Sequence, residues 1–140
     1  MDLKKDIHSL IGYVEKFHDS FGIKNNYEPT TQLSQNDIQL RFDLLKEENE
    51  EYINAAKNGD MVEVADALGD LMYILFGTIM KHGMQNKIVE VFEEIQRSNM
   101  SKLGIDGKPI YREDGKVLKG PNYFKPNIQT IPVSYTHLRA

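Results

Sequence analysis

A chain of 140 residues with 40% hydrophobic and 27% charged residues has the size and composition of one soluble globular domain. The absence of cysteine excludes disulfides, thiolate catalysis and cysteine-based zinc sites, so a metal would need oxygen or imidazole ligands. The formal net charge of −4 argues against binding to a nucleic-acid polymer. No uncharged run is long enough to span a membrane and no signal-peptide pattern is present, so we expect a cytoplasmic protein with no membrane partner.

Apolar residues recur at helical spacing in four segments, which predict four helices. Gly22, Gly59 and Gly83 are the predicted stops of the first three, and Asp60 is the predicted N-cap of the third, with an acid three residues later. The predicted helices cover roughly residues 2–20, 36–58, 60–82 and 86–100. A polar loop, which we expect to cover a site, follows the first helix.

Proline and Asp-Gly pairs after Gly104 predict an irregular extension with a turn or small hairpin at Asp114-Gly115. We therefore expect an all-α fold, a four-helix bundle with a short irregular C-terminal extension, as one domain over residues 1–128. The sequence of residues 133–140 resembles a translated sequencing adaptor, and we interpret this segment as a non-native tail.

Acidic residues occupy positions in two of the helices where apolar residues are expected. In the second helix the stripe of Leu40 and Leu44 continues at helical spacing to Glu48 and Glu51. A run of acids such as 47–51 is also typical of a solvated helix face, so this alternative stays open.

The third helix places Asp66 and Asp70 one turn apart inside an almost wholly apolar run, with Gly69 and Gly77 near that face. Burial of unpaired carboxylates is unfavourable, and several acids that meet between two helices favour a hard divalent cation, magnesium or manganese. Glu63 is explained by capping at Asp60 and is left as an outer ligand.

The segments 47–51 and 66–70 together resemble the MazG-like, all-α nucleotide pyrophosphohydrolases, which include phosphoribosyl-ATP pyrophosphohydrolase and the dimeric dUTPases. That superfamily has two acids three residues apart on one helix and a Glu-x-x-Asp on the next. Glu48 and Glu51 match the pair and Asp70 matches the closing aspartate. Ala67 replaces the second glutamate, so its role falls to Asp66 or Glu63. Segments 17–18, 99–102 and 114–123 extend the likeness.

The resemblance implies Mg²⁺-dependent hydrolysis of a (deoxy)nucleoside triphosphate to the monophosphate and pyrophosphate, as nucleotide-pool house-cleaning. It implies a catalytic role for Glu47 in orienting or deprotonating water, phosphate contacts for Asn99 and Lys102, and a base contact for His18. Complementing the dipole at a helix C-terminus is the open alternative for Lys102, and a partly buried surface histidine is the open alternative for His18. The implied metal ligands are Glu48, Glu51, Asp66 and Asp70. A homodimer or homotetramer is also implied.

Other functions remain as alternatives. Within the same superfamily the alternative is phosphoribosyl-ATP hydrolysis in histidine biosynthesis, and the non-enzyme alternative is a helical interaction module, which predicts that Asp66 and Asp70 are exposed. A di-iron carboxylate protein needs two Glu-x-x-His motifs, and the sequence has one, Glu15 with His18. A P-loop is excluded because no Gly-x-x-x-x-Gly-Lys-Ser/Thr run is present.

Overall fold

The structure, a computed structural model, describes residues 6–133 and contains four α-helices in this part of the chain. They are α1 (Ile7–Ser20), α2 (Gln35–Lys57), α3 (Met61–Lys81) and α4 (Ile88–Met100), followed by a short 3₁₀ helix at Ile128–Thr130. Over the described range there is no strand beyond one isolated β-bridge. The all-α fold class is confirmed, and the four helices are consistent with a four-helix bundle. None of the helices in residues 6–133 is both long and apolar enough to cross a membrane.

The chain divides into two compact units, Met1–Gln85 and Asn86–Ala140. In the first unit α3 packs against both α2 and α1, and more extensively against α2. The second unit contains α4 and the C-terminal extension.

Side chains cap the starts of the first three helices. The Asp60 carboxylate accepts a hydrogen bond from the Glu63 backbone N–H at 3.1 Å, which confirms the predicted start of α3. Asp6 caps α1 and Ser34 caps α2 in the same way. Asp6 is therefore the N-cap, and α1 begins at Ile7. Residues 2–5 of the predicted first helix lie outside the residues that the structure describes.

Glycines end the first three helices as predicted, each with a positive φ. Gly59 and Gly83 have the same φ of +67°, but their surroundings differ. A Cβ at Gly59 would meet no atom within 4 Å, whereas a Cβ at Gly83 would overlap the backbone carbonyl of Glu28. The glycine after α3 is therefore required by both the backbone angle and the close approach of the loop.

We expect Gly83→Ala to lower the free energy of unfolding well beyond the roughly 1 kcal/mol of left-handed strain alone. The matched control is Gly59→Ala, which has the same strain without the overlap. Urea denaturation of both variants measures the difference. Equal losses would show that the Glu28 contact does not limit this position.

A buried polar cluster joins α1, the following loop, α2 and α3. His18 is 3% exposed, and its Nδ1 lies 2.6 Å from Oδ1 of Asn25. Arg41 is 8% exposed and donates to the Thr78 hydroxyl at 3.0 Å and to the Ile74 carbonyl at 2.9 Å. Gly77 makes room for this cluster, since a Cβ there would stand 2.7 Å from the Arg41 guanidinium and 2.9 Å from the His18 ring.

Lys81 ties the loop after α1 to the end of α3. Its buried ammonium donates to the Lys24 carbonyl at 2.7 Å and lies 3.8 Å from the Asp37 carboxylate. The Asn26 side chain donates to the Lys81 carbonyl at 2.6 Å, and the backbones of Thr30 and His82 are bonded at 2.9 Å. These bonds hold the loop firmly against α3.

Burial lowers the pKa of His18 below its ordinary 6.5, and the nearby charges of Arg41 and Lys81 lower it further. The hydrogen bond with Asn25 and the charge of Asp19 raise the pKa but do not outweigh these effects. Below pH 6.5 the folded protein therefore binds fewer protons at this ring than the unfolded chain does. The stability that His18 contributes is complete above that pH and is lost as the pH falls toward the folded-state pKa.

We expect the melting temperature of the protein to fall on acidification from about pH 7.5 to about pH 5 more steeply than that of a His18→Asn variant. The asparagine keeps a donor for Asn25 but cannot take up a proton. Thermal denaturation across this range measures the effect. Parallel pH profiles for the two proteins would contradict it.

The C-terminal extension forms the predicted small hairpin. Tyr111 and Val117 make an antiparallel bridge around the turn at Asp114-Gly115. The extension is also bonded to α4, because the Ser98 hydroxyl donates to the Phe124 carbonyl at 2.8 Å. The predicted non-native tail, apart from Val133, lies outside the described residues.

Candidate functional site

The candidate site is a cluster of carboxylates between α2 and α3. Glu48 and Glu51 lie one helical turn apart on α2, and Asp70 lies on the α3 segment that packs against it. Glu48 and Asp70 are half-buried, while Glu51 is exposed. One carboxylate oxygen of Glu48, Oε2, is buried and has no hydrogen-bond partner. The helices thus hold an acid in an environment that does not satisfy its charge.

The pKa of Glu48 rises from the ordinary 4.5 to about 7. Burial is the main cause, followed by a hydrogen bond with Glu51 and by repulsion from the charges of Asp70, Glu51 and Glu47. The charges that raise the pKa of Glu48 therefore come from carboxylates of both helices.

The pKa of Asp70 is also raised, first by burial and then by the negative charges of Asp66 and Glu51. Asp66 itself is exposed, four residues before Asp70 on α3. The exposure of Asp66 is what the interaction-module alternative predicts, whereas the half-buried Asp70 is not. Acids of α2 and α3 therefore act on one another electrostatically. We call these four residues the acidic cluster: Glu48, Glu51, Asp66 and Asp70.

The donor set of this acidic cluster fits a hard divalent cation. A positive charge would relieve the repulsion that raises the pKa of Glu48 and Asp70, and would give the buried Glu48 Oε2 a partner. Over residues 6–133, no group of three or more His, Asp or Glu side chains stands in a geometry ready to hold a metal ion. Binding would therefore require the carboxylates to turn toward a common point.

A polar cavity of about 440 Å³ adjoins the acidic cluster at the α2–α3 turn. Glu51 and Asp66 line it, together with Asn54 and Glu63. The cavity provides space for a charged ligand beside the acids. Because Glu63 lines the cavity too, either Asp66 or Glu63 remains available as the fourth ligand.

The other predicted site residues lie in different places. Glu47 is exposed on α2 and its charge acts on Glu48. Asn99 is exposed in the last turn of α4, and Lys102 follows that helix, with its carbonyl accepting from the Gly120 N–H at 2.8 Å. His18 is buried on Asn25, so its position gives it a structural role, and its contact with a base stays a prediction.

Sequence reasoning missed Arg41, a cation buried between α2 and α3. Nothing in the sequence around a single arginine in a polar helix segment predicts that its side chain is buried. Gly77 was the available hint, because a glycine within an apolar helix indicates close approach of another group.

The fold and the acidic cluster define an all-α protein with a carboxylate site between two packed helices. The phosphoribosyl-ATP pyrophosphohydrolase family matches residues 14–99, which includes α2, α3 and every acid of the cluster, and the chain belongs to this family. Membership supports pyrophosphohydrolase activity on nucleotides in general.

The chain is also similar to an uncharacterized protein of Acanthamoeba polyphaga mimivirus, with 31% identity over 66 residues. The alignment covers 47% of this chain and 26% of the viral protein. The chain thus spans about a quarter of that relative, which supplies no activity for comparison.

Proposed function

We propose that the protein hydrolyses a (deoxy)nucleoside triphosphate to the monophosphate and pyrophosphate with Mg²⁺, or Mn²⁺, as the cofactor. The observation that carries the proposal is the half-buried Glu48, with its unpartnered oxygen and a pKa raised to about 7 by burial and by acids of both helices. Family membership supports the reaction class. Nucleotide-pool house-cleaning is the proposed role.

Glu48, Glu51 and Asp70 would hold the cation, with Asp66 or Glu63 as the fourth ligand. The bound cation supplies positive charge against the phosphate oxygens and makes a water molecule more acidic. Glu47, whose charge acts on Glu48, would orient the attacking water and take its proton. The water oxygen forms a bond to the α-phosphorus, and the bond between that phosphorus and the α–β bridging oxygen breaks. Pyrophosphate leaves with the electron pair of that bond.

Asn99 and Lys102 are the proposed contacts to the phosphates. An ammonium and an amide are suitable donors to non-bridging oxygens. Both lie at or just after the end of α4 in the second unit. His18 remains the predicted contact to the base, and because its ring is buried against Asn25 and Gly77, this contact would require the ring to become accessible.

Phosphoribosyl-ATP is the second candidate substrate, because the matching family bears its name. The test is pyrophosphate release from a panel of nucleoside triphosphates and phosphoribosyl-ATP, first with Mg²⁺ and then with chelator. Release that needs Mg²⁺ would support the class, and the best substrate would separate the two candidates. Absence of release from every compound would favour the helical interaction module.

A second copy of the chain is the proposed partner, as a homodimer or homotetramer. Leu68, Met72 and Leu75 form an apolar stripe on α3, and each is between 45% and 48% exposed. Such a stripe is typical of a surface covered in an assembly. Light scattering after size exclusion measures the mass, and a monomer at assay concentration would contradict this proposal.

A further inference from the structure

The C-terminal extension is positively charged, although the protein as a whole is acidic. Residues 101–133 contain six lysine or arginine residues and three acidic residues, so their net charge is +3, whereas that of the chain is −4. Arg112 is paired with Asp114. Among residues 6–133, no carboxylate is paired with Lys102 or Lys119. The ammonium groups of these two lysines are therefore available to an external anion.

The two lysines are brought together by a close contact of backbones. The Gly120 N–H donates to the Lys102 carbonyl at 2.8 Å, which joins the peptide unit that follows Lys119 to the peptide unit that follows Lys102. A Cβ at Gly120 would overlap the Leu103 carbonyl and would stand 2.7 Å from the Lys102 carbonyl oxygen. The φ of Gly120 is not positive. Glycine is thus required here only by the close approach of the two segments.

Two serines hold the same part of the extension against the end of α4. Ser98 is 2% exposed, and its hydroxyl donates to the Phe124 carbonyl at 2.8 Å. The Ser101 hydroxyl accepts from the Phe124 N–H at 3.1 Å. The Arg97 guanidinium lies 4.4 Å from the centroid of the Phe124 ring. The backbone on which both lysines stand is therefore fixed within the second unit of the chain.

The ammonium group of Lys119 is also oriented by an aromatic ring. It lies 4.9 Å from the centroid of Tyr123. A turn places that ring, because the Tyr123 N–H donates to the Gly120 carbonyl at 3.2 Å, and Pro121 stands at the second position of the turn, which proline favours. An ammonium has three donors, and the ring covers one side of it. Donors remain for an anion on the other side.

We propose that Lys102 and Lys119 together bind the pyrophosphate part of the substrate, and that Gly120 is a positioning residue that holds Lys119 beside Lys102. The inference rests on the proposed function and adds to it a second cation from the C-terminal extension. Hydrogen bonds from an ammonium to phosphate oxygens are charge-assisted and strong. Two such groups from two adjoining segments suit a ligand with several neighbouring anionic oxygens.

The test is calorimetric titration of the full chain, free of metal, with pyrophosphate. Without a divalent cation the acidic cluster repels this ligand, so the binding measured belongs to the lysines. We expect Lys119→Gln to weaken pyrophosphate binding about tenfold or more. Lys116→Gln is the matched control, because Lys116 is an exposed lysine of the hairpin in the same extension. It should leave the affinity within about twofold of wild type.

Gly120→Ala is expected to weaken pyrophosphate binding as much as Lys119→Gln does. The double variant should lose no more than either single variant, because the glycine acts through the lysine. Both variants should raise KM for the nucleotide substrate. They should keep the rise in melting temperature that Mg²⁺ causes in wild type, since the acidic cluster is intact. Helical circular dichroism checks the fold, and Lys119→Gln tests the site even if Gly120→Ala does not fold.

Several results would overturn this assignment. Wild-type protein that does not bind pyrophosphate without metal would do so, as would unchanged binding by Lys119→Gln. An equal loss in Lys116→Gln would mean that the extension attracts anions only through its overall charge. Additive losses in the double variant would contradict the positioning role of Gly120. Pyrophosphate binding that depends on Lys119, without hydrolysis of any nucleotide, would support the anion site and refute the proposed function.

Discussion

Replacing Asp70 by asparagine is expected to lower Mg²⁺-dependent pyrophosphate release by more than about 100-fold, since even outer-shell partners of a metal typically contribute 10–100-fold. The substitution keeps the shape of the side chain and removes the charge that a cation needs. It also removes an unfavourable charge, because burial, and after it the charges of Asp66 and Glu51, raise the pKa of Asp70. The variant should therefore be folded and at least as stable as wild type without metal.

Pyrophosphate release and thermal denaturation in chelator measure the two halves of this prediction. Asp43→Asn is the matched control, because Asp43 is an exposed acid of α2 that accepts a hydrogen bond from Gln39 at 2.9 Å, outside the acidic cluster. Its activity should equal that of wild type. An Asp70→Asn protein that loses its helical circular-dichroism signal together with its activity would mean that the aspartate is structural.

Glu48→Gln is expected to raise the melting temperature of the metal-free protein by several degrees near pH 8 while abolishing hydrolysis. The folded-state pKa of Glu48 is about 7 against an ordinary 4.5, so between these values the folded protein binds more protons than the unfolded chain. The stability of metal-free wild type therefore falls as the pH rises through this window. Glutamine has no such dependence.

Mg²⁺ should reverse the order of the two melting temperatures, so that wild type becomes more stable than Glu48→Gln. The cation compensates the repulsion in wild type and raises its melting temperature, and the increase should grow as the pH rises because protons compete for the same carboxylates. Glu48→Gln should respond weakly. Glu50→Gln serves as control, since Glu50 is exposed and lies 4.0 Å from Lys46. Equal Mg²⁺ shifts in wild type and Glu48→Gln would contradict a cation at Glu48.

Local signals in the sequence were sufficient for most of the fold. The helix-period pattern and the glycine stops located all four helices, and the Asp60 cap placed the start of α3. The N-cap role of Ser34, which starts α2 one residue earlier than predicted, depends on its backbone angles and was not recognised. The ends of helices are in general harder to predict than the helices themselves, because the ends depend on the geometry of the cap.

The candidate site was predictable because acids at helical spacing interrupt apolar stripes. The degree to which each acid is buried could not be predicted. Asp66 was expected to face the core and is exposed, whereas Glu48 carries the buried oxygen. The crossing of α2 and α3 decides which carboxylate is desolvated. Spacing within one helix contains no information on that crossing.

The buried polar cluster could not be predicted for a similar reason. The burial of Arg41 depends on the space at Gly77 and on two acceptors, at Thr78 and Ile74, from another helix. His18 is buried by Asn25 from the loop after α1. Polar residues are buried only where such partners meet, and these partners are brought together by the tertiary fold.

The proposed function requires Glu48, Glu51 and Asp70 to hold one divalent cation. The most direct measurement is anomalous diffraction from crystals of the full chain grown with Mn²⁺, which replaces Mg²⁺ at oxygen ligands. We predict one anomalous peak about 2.2 Å from carboxylate oxygens of all three residues. A peak elsewhere, or carboxylates of these residues that remain apart at saturating Mn²⁺, would contradict a shared cation at these three residues.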